Sequence, residues 1–471
     1  MANMIEKMRT ESDSIGSKNL PCDVYYGVQS LRAMENFSIT GTRMIAPMIE
    51  NLALLKKACA IANKEAGVLE EKIADAIVAA CDDICAGKFH DQFIVDPIQG
   101  GAGTSMNMNI NEVVANVAIE KLGGKLGDYS IVHPNDHVNQ GQSTNDIIPT
   151  AGKMTVVTLL QPLLAELKKL EAAFEKKAVE FDSIIKMGRT QLQDAVPVRL
   201  GQEFAAYASA VRRSIKRINA VQAEMYPTNM GGTAIGTGIN ADLAYFHNVT
   251  RVLAELTGVP YCQAEDMIDG TQHIDGFAAV SGVLKDCGLA LSKIANDLRL
   301  MSSGPRTGFG EINLPARQNG SSIMPGKVNP VIPEVVSQVA FRVMGNDVTI
   351  SMAAEAGQFE LNAFEPVAFD ALFQSITALT GAVKTFTVNC VEGITANEKH
   401  CQELLDASVG PITAVCPYIG YAQAASLAKE ALKTGIPVRT LLVERGVLTA
   451  EEVDRILDTH GMTEPGVPGK D

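Results

Sequence analysis

The chain has 471 residues, 46% of them hydrophobic and 20% charged, the composition of a globular protein too long for one hydrophobic core. Its formal net charge of -14 excludes the positive footprint that a nucleic-acid backbone or an anionic membrane demands, so an anionic substrate would need a locally positive pocket. Trp is absent and aromatics reach only 5%, which predicts helices packed through aliphatic side chains.

The N-terminus, MANMIEKMRTESDS, is charged and lacks an apolar leader segment, and no apolar run is read as long enough to span a bilayer. A cytoplasmic, non-membrane protein is expected. Residues 1 to about 45 carry Gly16, Pro21, Gly27 and Gly41 at spacings that predict irregular structure. Helical periodicity begins over 49–66 and returns over 69–86. Gly100, Gly101 and Gly103 then precede MNMNINEVVANVAIEKLG, a helix that Gly123 and Gly124 end.

From 147 to 181 the residues Val156, Leu160, Leu163, Leu164, Leu167, Leu170, Phe174 and Ala178 form a helical stripe, and similar segments cover 200–225, 277–302, 333–356 and 362–390. Five such helices predict a bundle, and their surplus apolar surface predicts association of identical chains. After 397, Gly410, Pro411, Pro417, Gly435 and Pro437 predict a small domain of short helices. The expected fold is all-α, divided at 1–142, 143–397 and 398–471. The nine cysteines are scattered, with no CxxC and no Cys/His cluster at zinc spacing, so reduced thiols and no metal are expected.

Four polar segments carry chemistry. GSSIMPGKVNP at 320–330 is a loop between two long helices, a usual place for function. It is not a phosphate-binding P-loop, because five residues separate Gly320 from Gly326 and Val328 follows Lys327. Turn chemistry explains its glycines and prolines but not two serines, a lysine and an asparagine together. HPNDHVNQGQSTND at 133–146 runs into the longest helix; Asp136 or Ser143 could cap that helix, yet one cap leaves the other polar residues unexplained. His133 and His137 could suggest a metal pair, but Pro134 disfavours continuous helix and no third ligand is evident. MGRTQLQDA at 187–195 and GGAGTSMNMN at 100–109 complete the set. Hydroxyls, amides and one lysine, without paired carboxylates, suit a small dicarboxylate held by hydrogen bonds.

GSSIMPGKVNP, with the other three segments in order, resembles the signature of the fumarase/aspartase superfamily over nearly the whole chain. YYGVQSLRAMENF, GGTAIGTGIN at 231–240 and SSGPR at 302–306 are similar to that family too. The resemblance implies mainly helical subunits of three domains in a homotetramer built around twenty bundled helices. Each active site would then be shared by three subunits, with no cofactor. Gln191, EINLP at 311–315 and the stretch 329–367 are similar to the branch that deaminates L-aspartate to fumarate and ammonia. Class II fumarate hydration is the alternative, with an argininosuccinate-type lyase more distant. A non-catalytic scaffold of the same fold should have lost Ser321, Lys327 or Thr190, and all three are present.

The resemblance further implies that Ser321 is the general base for the Cβ proton. It implies that Thr104, Ser143, Thr144 and Ser322 meet the developing charge on the β-carboxylate, and that Thr190, Lys327 and Asn329 grip the α-carboxylate. Asn145 and Gln191 would face the amino group, and Met324 joins the substrate-binding set. Closure of the 320–330 loop would deliver Ser321.

Overall fold

The structure, a computed structural model, describes residues 7–470. It is mainly helical; among the described residues, strands occur as four two-stranded pairs. The segment expected to be irregular instead opens with an antiparallel hairpin, Met8–Asp13 with Gly16–Pro21, followed by the helix Val28–Asn36. That helix has no side-chain cap of its own. The buried Glu112 supplies one from far along the chain, accepting from the backbone N–H groups of Gly27, Gln29 and Ser30 at 2.8, 2.9 and 3.1 Å. A carboxylate at a helix start satisfies donors that the helix itself cannot.

Ala46–Glu65 and Glu71–Cys85 follow the expected periodicity, and Thr104–Lys121 begins directly after the glycine cluster. The five long helices are Thr144–Glu180, Leu200–Val221, Asp275–Met301, Val331–Glu355 and Glu365–Asn389.

The chain divides into two compact units. One takes the chain up to Leu164 with Lys216–Asp286 and Phe341–Leu379; the other takes Ala165–Ile215, Cys287–Ala340 and the chain from Thr380 onward. In the first, Phe277 and Phe369 pack with ring centroids 4.8 Å apart, and Gly152 lies so close to Phe369 that a Cβ there would meet its ring at 2.7 Å. In the second, Phe174, Phe204, Tyr207 and Phe386 form an aromatic cluster. The second unit also holds a separate apolar cluster built from Ile412, Val415, Leu427, Leu441, Leu442, Val453 and Ile456.

Two helices, Thr144–Glu180 and Glu365–Gly393, are long and apolar enough by composition to cross a bilayer, which corrects the expectation that no such run exists. Most of the apolar window in each is buried inside the protein, 72% and 61%. Lys153 and Glu365 stand on these segments, the lysine half-buried and the glutamate fully buried. Lys153 Nζ donates to the Pro227 carbonyl at 2.6 Å, while neither carboxylate oxygen of Glu365 has a hydrogen-bond partner. Burial pushes the lysine down and the carboxyl well up, as desolvation of a charge does.

Candidate active site

The site residues of the first unit gather at two helix starts. Thr104 is the first residue of an 18-residue helix and Thr144 the first of a 37-residue helix, so the positive ends of two long dipoles carry candidate hydroxyls. Gly103 lets the two approach: it sits at φ 86°, and a Cβ on it would lie 2.8 Å from Ile148 Cγ2. Thr104 Oγ1 donates to Gly101 O at 2.8 Å, and Asn107 Nδ2 reaches Thr144 Oγ1 at 3.4 Å.

The Ser143–Asn145 segment is fixed from below. Asp146, fully buried, accepts from Ser143 N at 2.9 Å and from Thr233 N at 3.2 Å. Burial pushes its carboxyl up to about 6 against these backbone donors. Ser143 Oγ accepts from Asn145 N at 3.2 Å, Asn145 Nδ2 donates to Ala234 O at 2.7 Å, and Asn229 Nδ2 donates back to Asn145 O at 2.8 Å. The GGTAIGTGIN loop therefore braces the polar segment. Preceding it, Pro134–Val138 forms one π-helical turn with His133 extended just before it, so no continuous helix joins His133 to His137. Among the described residues no cluster of His, Cys, Asp and Glu could hold a metal ion, and all nine cysteines are free.

In the second unit, Thr190 and Gln191 lie at the tip of an antiparallel hairpin, Ile185–Thr190 with Gln193–Arg199, that the helical reading did not foresee. Both turn residues, Gln191 and Leu192, hold positive φ, 54° and 62°. Asn and Gly are the residues suited to that conformation, so this tip carries local strain. The hairpin is pinned by Glu311, fully buried: Arg189 Nη1 donates to it at 2.7 Å, and Lys186 Nζ lies 3.2 Å from its other oxygen. Arg189 also stacks on Phe309, 4.3 Å from the ring centre.

The 320–330 loop is closed at its base by Gly320 N to Lys327 O at 2.8 Å and Asn329 Nδ2 to Gly320 O at 2.8 Å. Its crown, holding Ser322, Met324 and Lys327, is exposed. Ser321 Oγ accepts from the backbone N–H groups of Ile323 and Met324, at 3.1 and 2.9 Å. Two fixed donors on one oxygen favour its anionic form. Among the described residues Lys327 makes no ion pair, which leaves its ammonium available to an anion. Thr104, Ser143, Thr144 and Asn145 thus lie in the first unit, and Thr190, Gln191, Ser321, Ser322, Met324, Lys327 and Asn329 in the second.

Sequence reasoning missed the supporting residues Asn107, Asp146, Asn229 and Thr233, whose partners are distant in sequence. It also passed over Lys56, although Leu52, Lys56, Cys59 and Asn63 share one helical face, where a lysine among apolar neighbours is a readable signal.

Comparison with known proteins shows what the chain is similar to. A lyase family pattern matches residues 16–345 and a fumarase C C-terminal pattern matches 412–464. Aspartate ammonia-lyase of Bacillus subtilis (strain 168) is 54% identical over 471 residues, covering 100% of this chain and 99% of that relative. The Escherichia coli (strain K12) aspartate ammonia-lyase is 47% identical over 470 residues, covering 99% and 98%. Among solved structures, a fumarate lyase:delta crystallin from Brucella melitensis bound to cobalt superposes with a TM-score of 0.95 at 48% identity, over 98% of this chain and 100% of that one. A class II fumarase from Schistosoma mansoni gives 0.95 at 35% identity over the same shares.

Proposed function

This chain belongs to the lyase family that includes the fumarases and the aspartate ammonia-lyases, and from that premise we propose how its residues divide the work. The reaction is the reversible deamination of L-aspartate to fumarate and ammonia, a small-molecule dicarboxylate chemistry, and full-length identity of 47–54% to aspartate ammonia-lyases carries that conclusion.

The obstacle is the weak acidity of the Cβ–H bond beside a carboxylate. Ser321 Oγ takes that proton; the C–H electron pair moves into the β-carboxylate as a dianionic enediolate. The pair then returns to form the Cα=Cβ bond as the Cα–N bond breaks and ammonia leaves. A serine oxygen is a costly base in water, and the Ile323 and Met324 N–H groups on Ser321 Oγ are the observation that supports this role. Thr104, Ser143, Thr144 and Ser322 meet the enediolate, where the helix starts add positive potential. Lys327 and Asn329 with Thr190 hold the α-carboxylate, and Asn145 and Gln191 face the amino group, with Met324 beside the substrate.

The working assembly is a homotetramer whose active sites draw on three subunits, located in the cytoplasm, with domains at 1–142, 143–397 and 398–471. Exposed Phe341, Val348 and Met352 along Val331–Glu355 support association, since soluble chains seldom leave such a stripe open.

The test follows fumarate absorbance with L-aspartate and with L-malate as separate substrates. Turnover of L-aspartate with little turnover of L-malate is expected; preference for L-malate would transfer the reading to a fumarate hydratase. Ser321→Ala should retain assembled size while losing fumarate formation.

A further inference from the structure

Lys56 has a fully buried side chain in the middle of Ala46–Glu65, yet among the described residues it makes no ion pair. Burying an ammonium without a carboxylate partner costs several kcal/mol by the usual scale, and an apolar side chain would pack there more cheaply. The bonds it does make run to the loop before the donor segment: Nζ donates to Asn139 Oδ1 at 2.9 Å and to Gln142 Oε1 at 2.8 Å.

Those two amides organise the bend. Asn139 Oδ1 also accepts from Asn107 and Asn111, each at 3.2 Å, while Asn139 Nδ2 donates to Gln142 O at 3.1 Å. Gln142 Nε2 donates to the carbonyls of Val138 and Gln140 at 3.0 and 3.2 Å. Asn107 continues the chain to Thr144 Oγ1, and Gln142 is joined directly to Ser143.

We propose that Lys56 is a positioning residue of the reaction: its ammonium fixes Asn139 and Gln142, and through them the Ser143–Asn145 donors that receive the substrate carboxylate. The inference rests on the reading of that segment as a substrate-binding face.

The groups that face Lys56 give the inference a signature. They are Cys59 on its own helix, Cys81 on Glu71–Cys85 and Asp146 on Thr144–Glu180, and Tyr245 on Leu243–Thr257 joins the group through its hydroxyl, which donates to Cys59 Sγ. Burial raises both thiols and the phenol, so they stay neutral, and Asp146 is the group among them that carries charge. Burial lowers Lys56 to about 8. Between about pH 6 and 8 the lysine and Asp146 are both ionised and offset each other. Above that, Lys56 loses its proton while the Asp146 carboxylate remains, uncompensated, beneath an anion-binding face. Affinity for a dicarboxylate therefore falls as pH rises through about 8.

The experiment measures inhibition by succinate, which has no group titrating between pH 7 and 9.5, in the full-length enzyme and in Lys56→Met. The wild type should bind succinate progressively more weakly above about pH 8. Lys56→Met should raise the inhibition constant at pH 7 by about tenfold, raise KM for L-aspartate more than it lowers kcat, and abolish that inflection. A folded Lys56→Met enzyme within about twofold of the wild type, or with the same pH profile, overturns the inference. Should Lys56→Met fail to fold, Gln142→Leu decides: about a fivefold loss of succinate affinity is expected, and none overturns it. Ser143→Ala, run in parallel, separates the two readings. If it weakens succinate and the Lys56 and Gln142 variants do not, positioning alone fails; if it too is silent, the substrate-binding face fails with it.

Discussion

Around Ser143–Asn145 side-chain and backbone polar groups are tied to Asp146, Asn107, Asn229 or Ala234, and the residues beneath are buried. Around Ser321 the situation is reversed: Ile323, Met324 and Val328 are 84, 48 and 52% exposed, and the bonds of Gly320, Ser321, Lys327 and Asn329 described above join the loop to itself. Each region therefore suits a different part of the chemistry. Donors that must meet charge without reorganising belong on a rigid frame, whereas a base that must reach a carbon acid and then release product belongs on a segment that is cheap to move.

The largest effect should come from the loop. Ser321→Ala removes the base and should lower kcat by about 10³-fold or more without altering helicity, read by fumarate absorbance and circular dichroism. Near-normal turnover would erase the division of labour. Next, Lys327→Ala should act chiefly on binding, raising KM by the equivalent of about 2–4 kcal/mol, the usual consequence of losing a charge partner. A change confined to kcat would move Lys327 from binding to chemistry.

Stability should separate the regions further. Gly103→Ala forces a Cβ toward Ile148 at a positive φ and should destabilise the protein by about 2–3 kcal/mol in urea unfolding. Gly326→Ala also sits at positive φ, 80°, but meets no atom within 4 Å, so about 1 kcal/mol is expected. Equal costs would mean that the loop is as tightly built as the frame. The smallest effect belongs to Leu192→Gly at the strained hairpin tip, which should stabilise by about 0.5 kcal/mol, checked in the same unfolding assay.

The same contrast governs what the sequence disclosed. Thr104–Lys121 and the five long helices were legible because their apolar spacing and the glycines or prolines near their ends are local signals. The loop residues Ser321, Lys327 and Asn329 were legible because polar side chains crowded between helices have no packing explanation. Val28–Asn36 was not, since its start is completed by Glu112, a partner no local window contains. The Thr190 hairpin escaped for a related reason: Gln191 and Leu192 are poor turn formers held in place by Glu311 pinning Arg189 and Lys186. Lys56 and Asp146 act through contacts that exist only after folding.

Lys153 has a consequence that precedes the folded state. By composition alone, the unfolded apolar stretch of Thr144–Glu180 has the hydropathy of a membrane anchor. One ammonium group near the centre of such a stretch opposes lipid entry by about 2.5–3.5 kcal/mol. The half-buried charge of the folded protein therefore makes the same segment a poorer membrane anchor than its mean hydropathy alone would suggest.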